Sequence, residues 1–352
     1  MQIDIKDIYS DYLISQNKHA TATGLANILS EEISHDQITR FLNGDLMGSK
    51  KLWLEIKSDV RAHEHKDKGV LVLDDMPAEK PYTDENEIMC WHYSHAKNRL
   101  IKGVNLLTCM VRYGDISLPI GYEVVKKDLR YSDLKTRKER RKASITKNEL
   151  FRDLISQVVS NQVKWQYLLN DSWFSSNENM NFIHHDLNKF FIMGLKSNRS
   201  IALTVKDKQQ GRYEQIGSMS LENGVPKTVY LKGVSFPVQV MKKVFKNEDG
   251  SEGTLYLVTN DTAINGEQIF EIYQKRWCIE EYHKSVKQNA SFEKSPTKTI
   301  TSQLNHIFCS VLSFCKLERL KIKTCTNHFA IKYKLILRSN QIALQEWRKM
   351  TC

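Results

Sequence analysis

The pattern of hydrophobic positions along the chain changes at about residue 68. Before this point apolar residues recur at helical spacing, and after it short apolar runs are separated by turn residues. The run "GVLVLDD" at 69–75 predicts a buried strand whose end carries two acids. Two further runs, "GVNLLTCMVRYG" and "ISLPIGYEVV", are separated by a Gly114-Asp115 turn, so we predict a three-stranded meander.

Helices and strands alternate in the segment that follows. "KNELFRDLISQVV" predicts an amphipathic helix, and "WQYLLND" predicts a short strand that ends in Asp171. "SSNENMNFIHHDL" is helix-like and "KFFIMGLK" is strand-like. Three strands, a helix, a strand, a helix and a strand form the order of an RNase H-like core. We therefore predict an α/β fold built on this core.

A β-rich insertion divides the predicted core. Its short apolar runs, such as "TVYLKG" and "GTLYLVTN", are separated by Gly, Asn and Pro, and strongly helical segments follow. We predict five regions: a helical N-terminal region (1–68), the first part of the core (69–186), the insertion (187–262), the second part of the core (263–322) and a basic helical tail (323–352).

Two short helices are predicted within "ATGLANILSEEISHDQITRFLNG". Ser34 can cap the second helix, and Gln37 completes a capping box three residues later. The pair resembles a helix-turn-helix, with His35, Thr39 and Arg40 available to DNA, as much as it resembles a plain helical hairpin. We expect a DNA-binding region here, and the sequence leaves both structures open.

The charge of the chain indicates its partner class. Lys and Arg number 52 against 41 Asp and Glu, which gives a formal net charge of +11. Such a surface attracts phosphate backbones, so nucleic acid is the leading candidate. Lys126–Lys147 is the most basic segment, with ten basic and three acidic residues and no apolar periodicity. It predicts a solvated loop or a segment that follows a phosphate backbone.

Nothing in the sequence points to secretion or to a membrane. The longest apolar stretches are too short to cross a bilayer, and the N-terminus lacks the layout of a signal peptide. The seven cysteines form no C-x-x-C pair, which favours reduced thiols in the core. We expect a cytoplasmic protein.

The segment "EIYQKRWCIEEYHKSVKQN" carries the candidate chemistry. On one helix, Tyr273, Arg276, Glu280 and Lys287 would fall within roughly 60° of arc. The arginine and the lysine can hold phosphate oxygens, and the carboxylate can hold a metal. A solvated face with i,i+4 ion pairs explains any one pair but not the four together. The segment adds two further candidates for DNA contact, His283 and Lys284.

These residues carry a family resemblance. The pattern Tyr-x2-Arg-x3-Glu-x6-Lys is the signature of Asp-Asp-Glu (DDE) transposases of the "insertion sequence four" type, and it is met at every position. The segments "VLVLDDMPAEKPY" and "LLNDSWFSS" resemble the two aspartate motifs of this family. The resemblance covers about residues 50–320. It implies cleavage at transposon ends and strand transfer into target DNA, performed by a homodimer on double-stranded DNA. It also implies a bacterial protein associated with the nucleoid.

The resemblance also implies three catalytic, metal-binding acids, Asp75, Asp171 and Glu280. They would hold two Mg²⁺ ions, for which Mn²⁺ would substitute, because a hard cation prefers carboxylate oxygens. Strand alternation puts Asp74 and Asp75 on opposite faces, and the family motif favours Asp75. Asp74 is left as a supporting acid or a strand-end cap. In this family the Tyr, Arg and Lys of the signature grip phosphate, which assigns that role to Tyr273, Arg276 and Lys287.

The resemblance implies a hairpin intermediate, in which the freed 3′-hydroxyl attacks the opposite strand. Relatives that form hairpins stack a flipped base on a Trp of the insertion, and here no Trp lies between Trp173 and Trp277. Another aromatic such as Phe236 or Tyr256 could take its place. The hairpin step therefore has the weakest support in the sequence.

Other interpretations remain beside this one. The segment "WHYSHAKNRLIKG", with His92, His95 and Lys102, follows the first acid motif and predicts a DNA-facing loop or an ordinary basic turn. An RNase H-like nuclease or resolvase would cut without joining and would not need the Tyr-Arg-Lys set. A catalytically silent DNA-binding relative would not need three intact acids. A glycosidase with paired carboxylates would leave the basic charge unexplained.

Overall fold

A computed structural model describes residues 4–30, 32–65, 68–94, 97–134, 136–246 and 248–351. Its strands are β1 Val70–Glu79, β2 Cys90–Ser94, β3 Arg99–Tyr113, β4 Ile116–Val124, β5 Leu129–Ser132, β6 Glu139–Lys142, β7 Tyr167–Asn170, β8 Phe190–Leu195, β9 Ser200–Ala202, β10 Glu214–Gln215, β11 Lys227–Leu231, β12 Val238–Lys246 and β13 Glu252–Thr259.

The helices lie before, between and after these strands. They are α1 Ile5–Ser15, α2 Ala22–Ile28, α3 His35–Leu42, α4 Ser49–His63, α5 Lys147–Ser160, α6 Asn177–Asn181, α7 Val205–Gln209, α8 Gly266–Gln274, α9 Cys278–Asn289, α10 Ile300–Thr324 and α11 His328–Thr351. A π-helical turn, Phe182–Asp186, extends α6. The short turn Lys275–Trp277 between α8 and α9 has 3-10 geometry.

The centre of the main sheet has the order β4-β3-β1-β7-β8. The meander β1, β3 and β4 is antiparallel, whereas β7 runs parallel to β1 and β8 runs parallel to β7. The predicted three-stranded meander is confirmed, and the order is consistent with an RNase H-like core. The chain is a mixed α/β protein, as predicted.

The inserted strands continue the same sheet. β13 pairs with β8, and the order then runs through β12, β11 and β9 to β10. Each runs antiparallel to its neighbour, so the insertion is hydrogen-bonded to the core through a shared strand edge. The core and the insertion together form an eleven-stranded sheet within the described residues.

Local signals in the N-terminal region give the structure that they predict. Ser34 caps α3 and forms the complete capping box with Gln37. Ile38 and Leu42 of α3 are buried, whereas its polar residues remain exposed. Helix α1 packs against α10, where the Tyr9 hydroxyl lies 3.0 Å from Nδ1 of His306.

Three elements differ from the prediction. The segment "WHYSHAKNRLIKG", predicted as a loop or a basic turn, contributes to β2 and to the start of β3, which pair with each other. The other two differences lie further along the chain. Lys126–Lys147 contains a two-stranded ribbon, β5–β6, where a loop was predicted. The predicted single helix over 273–287 is two helices with a 3-10 turn between them. Neither of these two differences has a local sequence mark such as Gly or Pro.

Candidate active site

Strand register places Asp74 and Asp171 side by side. The last pair between the parallel strands β1 and β7 is Val72 with Leu169. Asp74 and Asp171 each lie two residues beyond that pair. Because side chains alternate along a strand, both acids are on the same face of the sheet as Val72 and Leu169. Because β1 and β7 separate here, their carboxylates meet at the open end of the sheet.

Helix α9 brings the third acid to this point. It packs against β1, and Glu280 lies in its first turn. One oxygen each of Asp74 and Glu280 and one ring nitrogen of His283 all lie within 4.8 Å of one another. Among the described residues this is the group of ligand atoms that could hold a metal ion. We call Asp74, Asp171, Glu280 and His283 the acidic cluster.

The 3-10 turn before α9 orients a guanidinium over the cluster. Nη1 of Arg276 lies 3.2 Å from Oε1 of Glu280 and 3.7 Å from Oδ2 of Asp74. The same guanidinium carbon lies 5.9 Å from the centre of the Tyr273 ring. Arg276 therefore offsets part of the negative charge of the cluster, and its side chain is mostly buried.

The electrostatics of Asp74 reflect both its burial and its acidic neighbours. Burial is the larger cause, and together with the carboxylates of Asp171, Asp75 and Glu280 it raises the pKa of Asp74 to about 8. Like charges in a poorly solvated site disfavour a second ionised carboxylate. Asp171 and Glu280 thus both act on the same carboxylate from different elements.

His283 faces the cluster rather than solvent. Its Nε2 atom is buried and has no hydrogen-bond partner among the described residues. Burial, with the charge of Lys287 nearby, lowers the pKa of His283 to about 3, which keeps the imidazole neutral. A neutral, unpartnered ring nitrogen beside two carboxylates suits a metal ligand or a water contact better than the predicted phosphate contact.

Asp75, the first acid expected from the sequence, lies beside the cluster and has other partners. Its Oδ2 accepts hydrogen bonds from Nζ of Lys147 at 2.7 Å and from Nδ2 of Asn105 at 2.6 Å. Its backbone N–H donates to Oδ1 of Asp74 at 2.8 Å. The geometry favours Asp74 as the first acid of the cluster.

The other two signature residues approach the site from its sides. The Tyr273 hydroxyl is 3.5 Å from the carbonyl oxygen of Asn170, just before Asp171. Gly194 of β8 leaves room for this ring, because a Cβ there would lie 3.3 Å from the hydroxyl. The ammonium of Lys287 donates to the carbonyl oxygen of Pro77 at 2.9 Å.

Two residues predicted to bind DNA do not contact the cluster. The ammonium of Lys284 lies 5.0 Å from the centre of the Phe329 ring, on the side of α9 that faces α11. Lys102 lies in β3, where it pairs with Trp91 of the edge strand β2 rather than with a residue of the cluster. His95, which lies between Trp91 and Lys102 in the sequence, is outside the described residues.

Sequence reasoning missed the residues that hold Asp75. Asn105 of β3 and Lys147, the first residue of α5, come from elements that only the fold brings together. Lys147 also lies 4.7 Å from the centre of the Trp173 ring. Trp173 is 43% exposed and Trp277 is 64% exposed, so both indoles flank the site at its surface.

The donor set fits hard divalent cations. Asp74 and Glu280 offer carboxylate oxygens close enough to share one cation. Asp171, just after β7, is near enough to help raise the pKa of Asp74, and a cation would neutralise this negative charge. The DDE endonucleases in general depend on divalent metal ions.

Comparison with known families agrees with this geometry. A sequence model of the DDE superfamily endonucleases matches residues 5–218, and a model of the transposase DDE domain matches residues 136–314. Each match covers more than half of the chain. The chain belongs to the DDE transposases. Membership in this family makes it an enzyme that acts on DNA, as the sequence predicted.

Similarity to individual proteins is much weaker. The Drosophila P element transposase, solved as a strand transfer complex, is 12% identical with a TM-score of 0.26. The match covers 49% of this chain and 34% of that one, so the chain spans about a third of the length of that transposase. No curated protein matches the sequence. No helix in the described part of the chain is long and apolar enough to span a membrane.

Proposed function

We propose that the chain cuts DNA at the ends of its own transposable element and joins those ends to target DNA, with Asp74, Asp171 and Glu280 as the catalytic acids. The observation that carries this is the common register of Asp74 and Asp171 beyond the Val72–Leu169 pair, opposite Glu280. The proposal moves the first acid from Asp75 to Asp74. Asp75 instead positions Lys147 and Asn105 beside the site.

The three acids would hold two Mg²⁺ ions, for which Mn²⁺ would substitute. When bound, such a pair supplies activation of the attacking oxygen and stabilisation of the leaving oxygen. His283 borders the same space and offers a neutral nitrogen that can accept a hydrogen bond from a water molecule. Helix α9 keeps Glu280 and His283 on one face, three residues apart.

Arg276, Tyr273 and Lys287 are the proposed phosphate-binding residues. Arg276 pairs with the acids in the absence of DNA, and a guanidinium can exchange one carboxylate contact for a phosphate oxygen. Lys287 reaches β1 next to the acids and adds positive charge at the other side. This set supports a transposase of the "insertion sequence four" type, with hairpin ends as a further step of the proposal.

Helix α3 is the proposed DNA-binding element of the N-terminal region. Its exposed face carries His35, Gln37, Thr39 and Arg40, whereas Ile38 and Leu42 hold it on the core. The short helices α2 and α3 suit a helix-turn-helix, in which the second helix enters the major groove.

A homodimer is the proposed assembly, through α11. Only His328, Ile331 and Lys332 of this 24-residue helix are buried. Its exposed apolar side chains Tyr333, Leu344 and Trp347 fall within about 60° of one helix face. A stripe of this kind on a solvent-exposed helix marks an interface, and a second α11 offers the matching stripe.

The test is an assay that separates cutting from joining. The probes are a duplex with the DNA that borders the reading frame, a supercoiled plasmid as target, and MgCl₂. We expect specific nicking at the element end and covalent joining to the plasmid. Nicking without joining would favour the nuclease alternative, and binding without nicking would favour a silent relative.

A further inference from the structure

The β5–β6 ribbon projects from the protein next to the acidic cluster. Every residue of β5 is exposed, and three of the four residues of β6 are exposed. Two antiparallel strands without a packed face are marginally stable on their own. Contacts at its base hold the ribbon in place: Asp128 accepts hydrogen bonds from the backbone and the hydroxyl of Ser144, and Arg141 lies 3.7 Å from Glu85.

The ribbon is basic on both faces. Residues directly opposite each other in an antiparallel pair share a face. One face carries Lys142 and Arg140, opposite Leu129 and Tyr131. The other face carries the opposed pair Arg130 and Arg141. A protein element that lies along one phosphate backbone needs positive charge on one face only. An element inserted into a groove of DNA has phosphates on both sides, so positive charge on both faces suits it better.

Part of this charge is paired within the protein. Arg130 lies 3.3 Å from Glu139, and Arg140 lies 3.1 Å from Asp133. Exposed pairs of this kind are weak, so phosphate oxygens can replace the carboxylates. Lys142 lies 5.8 Å from the centre of the Tyr131 ring, which leaves its charge available.

The base of the ribbon is close to the catalytic acids. Only four residues separate Lys142, the end of β6, from Lys147, whose ammonium contacts Asp75. The five Cα–Cα steps between these two lysines span at most about 18 Å. One turn of duplex DNA is roughly 34–36 Å long, so the ribbon reaches DNA within about half a turn of the site.

We propose that the β5–β6 ribbon inserts into the major groove of the duplex beside the phosphate that is cut. The major groove admits a two-stranded ribbon, whereas the minor groove is about half as wide. Leu134, at the tip, is 95% exposed and is available to base edges such as a thymine methyl group. The inference rests on the proposed function only in taking duplex DNA as the substrate.

Binding in EDTA tests the proposal without cutting, so it is independent of the proposed catalysis. The variant is Arg130→Gln, Lys138→Gln and Lys142→Gln, and the probe is a random-sequence 30-base-pair duplex. We expect the slope of log affinity against log salt to fall in magnitude by about 2–3, because each phosphate contact contributes roughly 0.9.

The matched control removes three exposed lysines from the inserted strands and their connections: Lys206→Gln, Lys227→Gln and Lys246→Gln. Its slope should remain that of the unmodified protein. An unchanged slope for the ribbon variant, or an equal change in both variants, would overturn the proposal. Thermal melting of all three proteins checks that each is folded.

A cross-linking experiment tests the groove. Leu134→Cys, in a background with Cys325→Ser and Cys352→Ser, carries a photoactivatable cross-linker at the tip. The other described cysteines are buried. We expect cross-links to DNA bases that methyl green, a major-groove ligand, abolishes and netropsin, a minor-groove ligand, leaves unchanged. The reverse pattern, or no cross-link to DNA, would contradict insertion into the major groove.

Discussion

Asp74 and Asp75 are neighbours in one strand, yet their carboxylates have different partners. Asp74 lies with Glu280 and Arg276, whereas Asp75 is held by Lys147 and Asn105. Alternation along β1 makes this separation unavoidable, because successive side chains leave a strand on opposite faces. The two acids therefore support different roles.

The separate partners predict separate losses of activity. Asp74→Asn should reduce nicking on the order of 10³-fold or more, since it removes a catalytic acid. Asp75→Asn should reduce it by roughly 10–100-fold, because it only releases Lys147 and Asn105. Initial rates of Mg²⁺-dependent nicking measure both. An equal loss in the two variants would restore Asp75 as the candidate acid.

The repulsion within the cluster predicts a change in stability. In EDTA near pH 7, Asp74→Asn should raise Tm by several degrees, because a neutral amide removes the cost of burying an acid beside Asp171 and Glu280. MgCl₂ should raise the Tm of the unmodified protein but not that of Asp74→Asn. Asp75→Asn is the control: it should lower Tm and keep the response to Mg²⁺. A Mg²⁺ response in Asp74→Asn would argue against metal binding by Asp74.

Two lysines of α9 differ in their surroundings and should differ in effect. Lys287 contacts β1 beside the acids, whereas Lys284 lies over Phe329. Lys287→Ala should slow hairpin formation and strand transfer roughly tenfold more than the first nick, because the proposed phosphate contact acts in those steps. Lys284→Ala should affect all steps much less. A gel-resolved time course separates the steps, and uniform slowing by Lys287→Ala would exclude this role.

A buried acid near the end of α10 predicts a pH effect. Burial raises the pKa of Glu318 to about 7, although Lys321 and Arg112 oppose the shift. The folded state therefore binds a proton that the unfolded state releases between about pH 4.5 and 7. The contribution of Glu318 to stability should decline as the pH rises through this range.

Comparison with Glu318→Gln isolates that contribution. His328, 3.9 Å from Glu318, is held neutral by burial with a pKa of about 4, and it titrates alike in both proteins. The Tm of the unmodified protein minus that of the variant should fall from pH 5 to pH 8. A difference that stays constant over this range would show that Glu318 does not titrate there.

The exposed apolar stripe of α11 predicts a dimer that a single charged substitution on the stripe should dissociate. Trp347 is 62% exposed on that stripe. Trp347→Glu should convert the proposed dimer to a monomer, because a carboxylate in an apolar interface has no partner. Gln345→Glu adds the same charge on the opposite side of the helix and should leave the dimer intact. Light scattering after size-exclusion chromatography measures both masses, and a dimeric Trp347→Glu protein would place the interface elsewhere.

Short-range signals in the sequence predicted most of the elements. The capping box at Ser34 and the apolar runs of β1, β3 and β4 depend on neighbouring residues, so the sequence alone reveals them. The ribbon did not follow from the sequence, because both of its strands are only four residues long and mostly exposed, and β6 contains no apolar residue.

The choice between Asp74 and Asp75, and the turn before α9, depend on contacts between residues that are far apart in the sequence. Asp74 and Asp75 are equivalent in local pattern, and only the register of β1 against β7 separates them. The 3-10 turn before α9 follows from the packing of α8 on β8 and of α9 on β1. The assignment of the site residues remains a prediction.

The shared edge between β8 and β13 makes the insertion a structural part of the core. Removal of 200–259 would expose the backbone N–H and C=O groups of β8, which pair with β13 in the intact chain. An uncovered edge of this kind recruits strands from other molecules. A shortened enzyme should therefore aggregate rather than retain a smaller folded core.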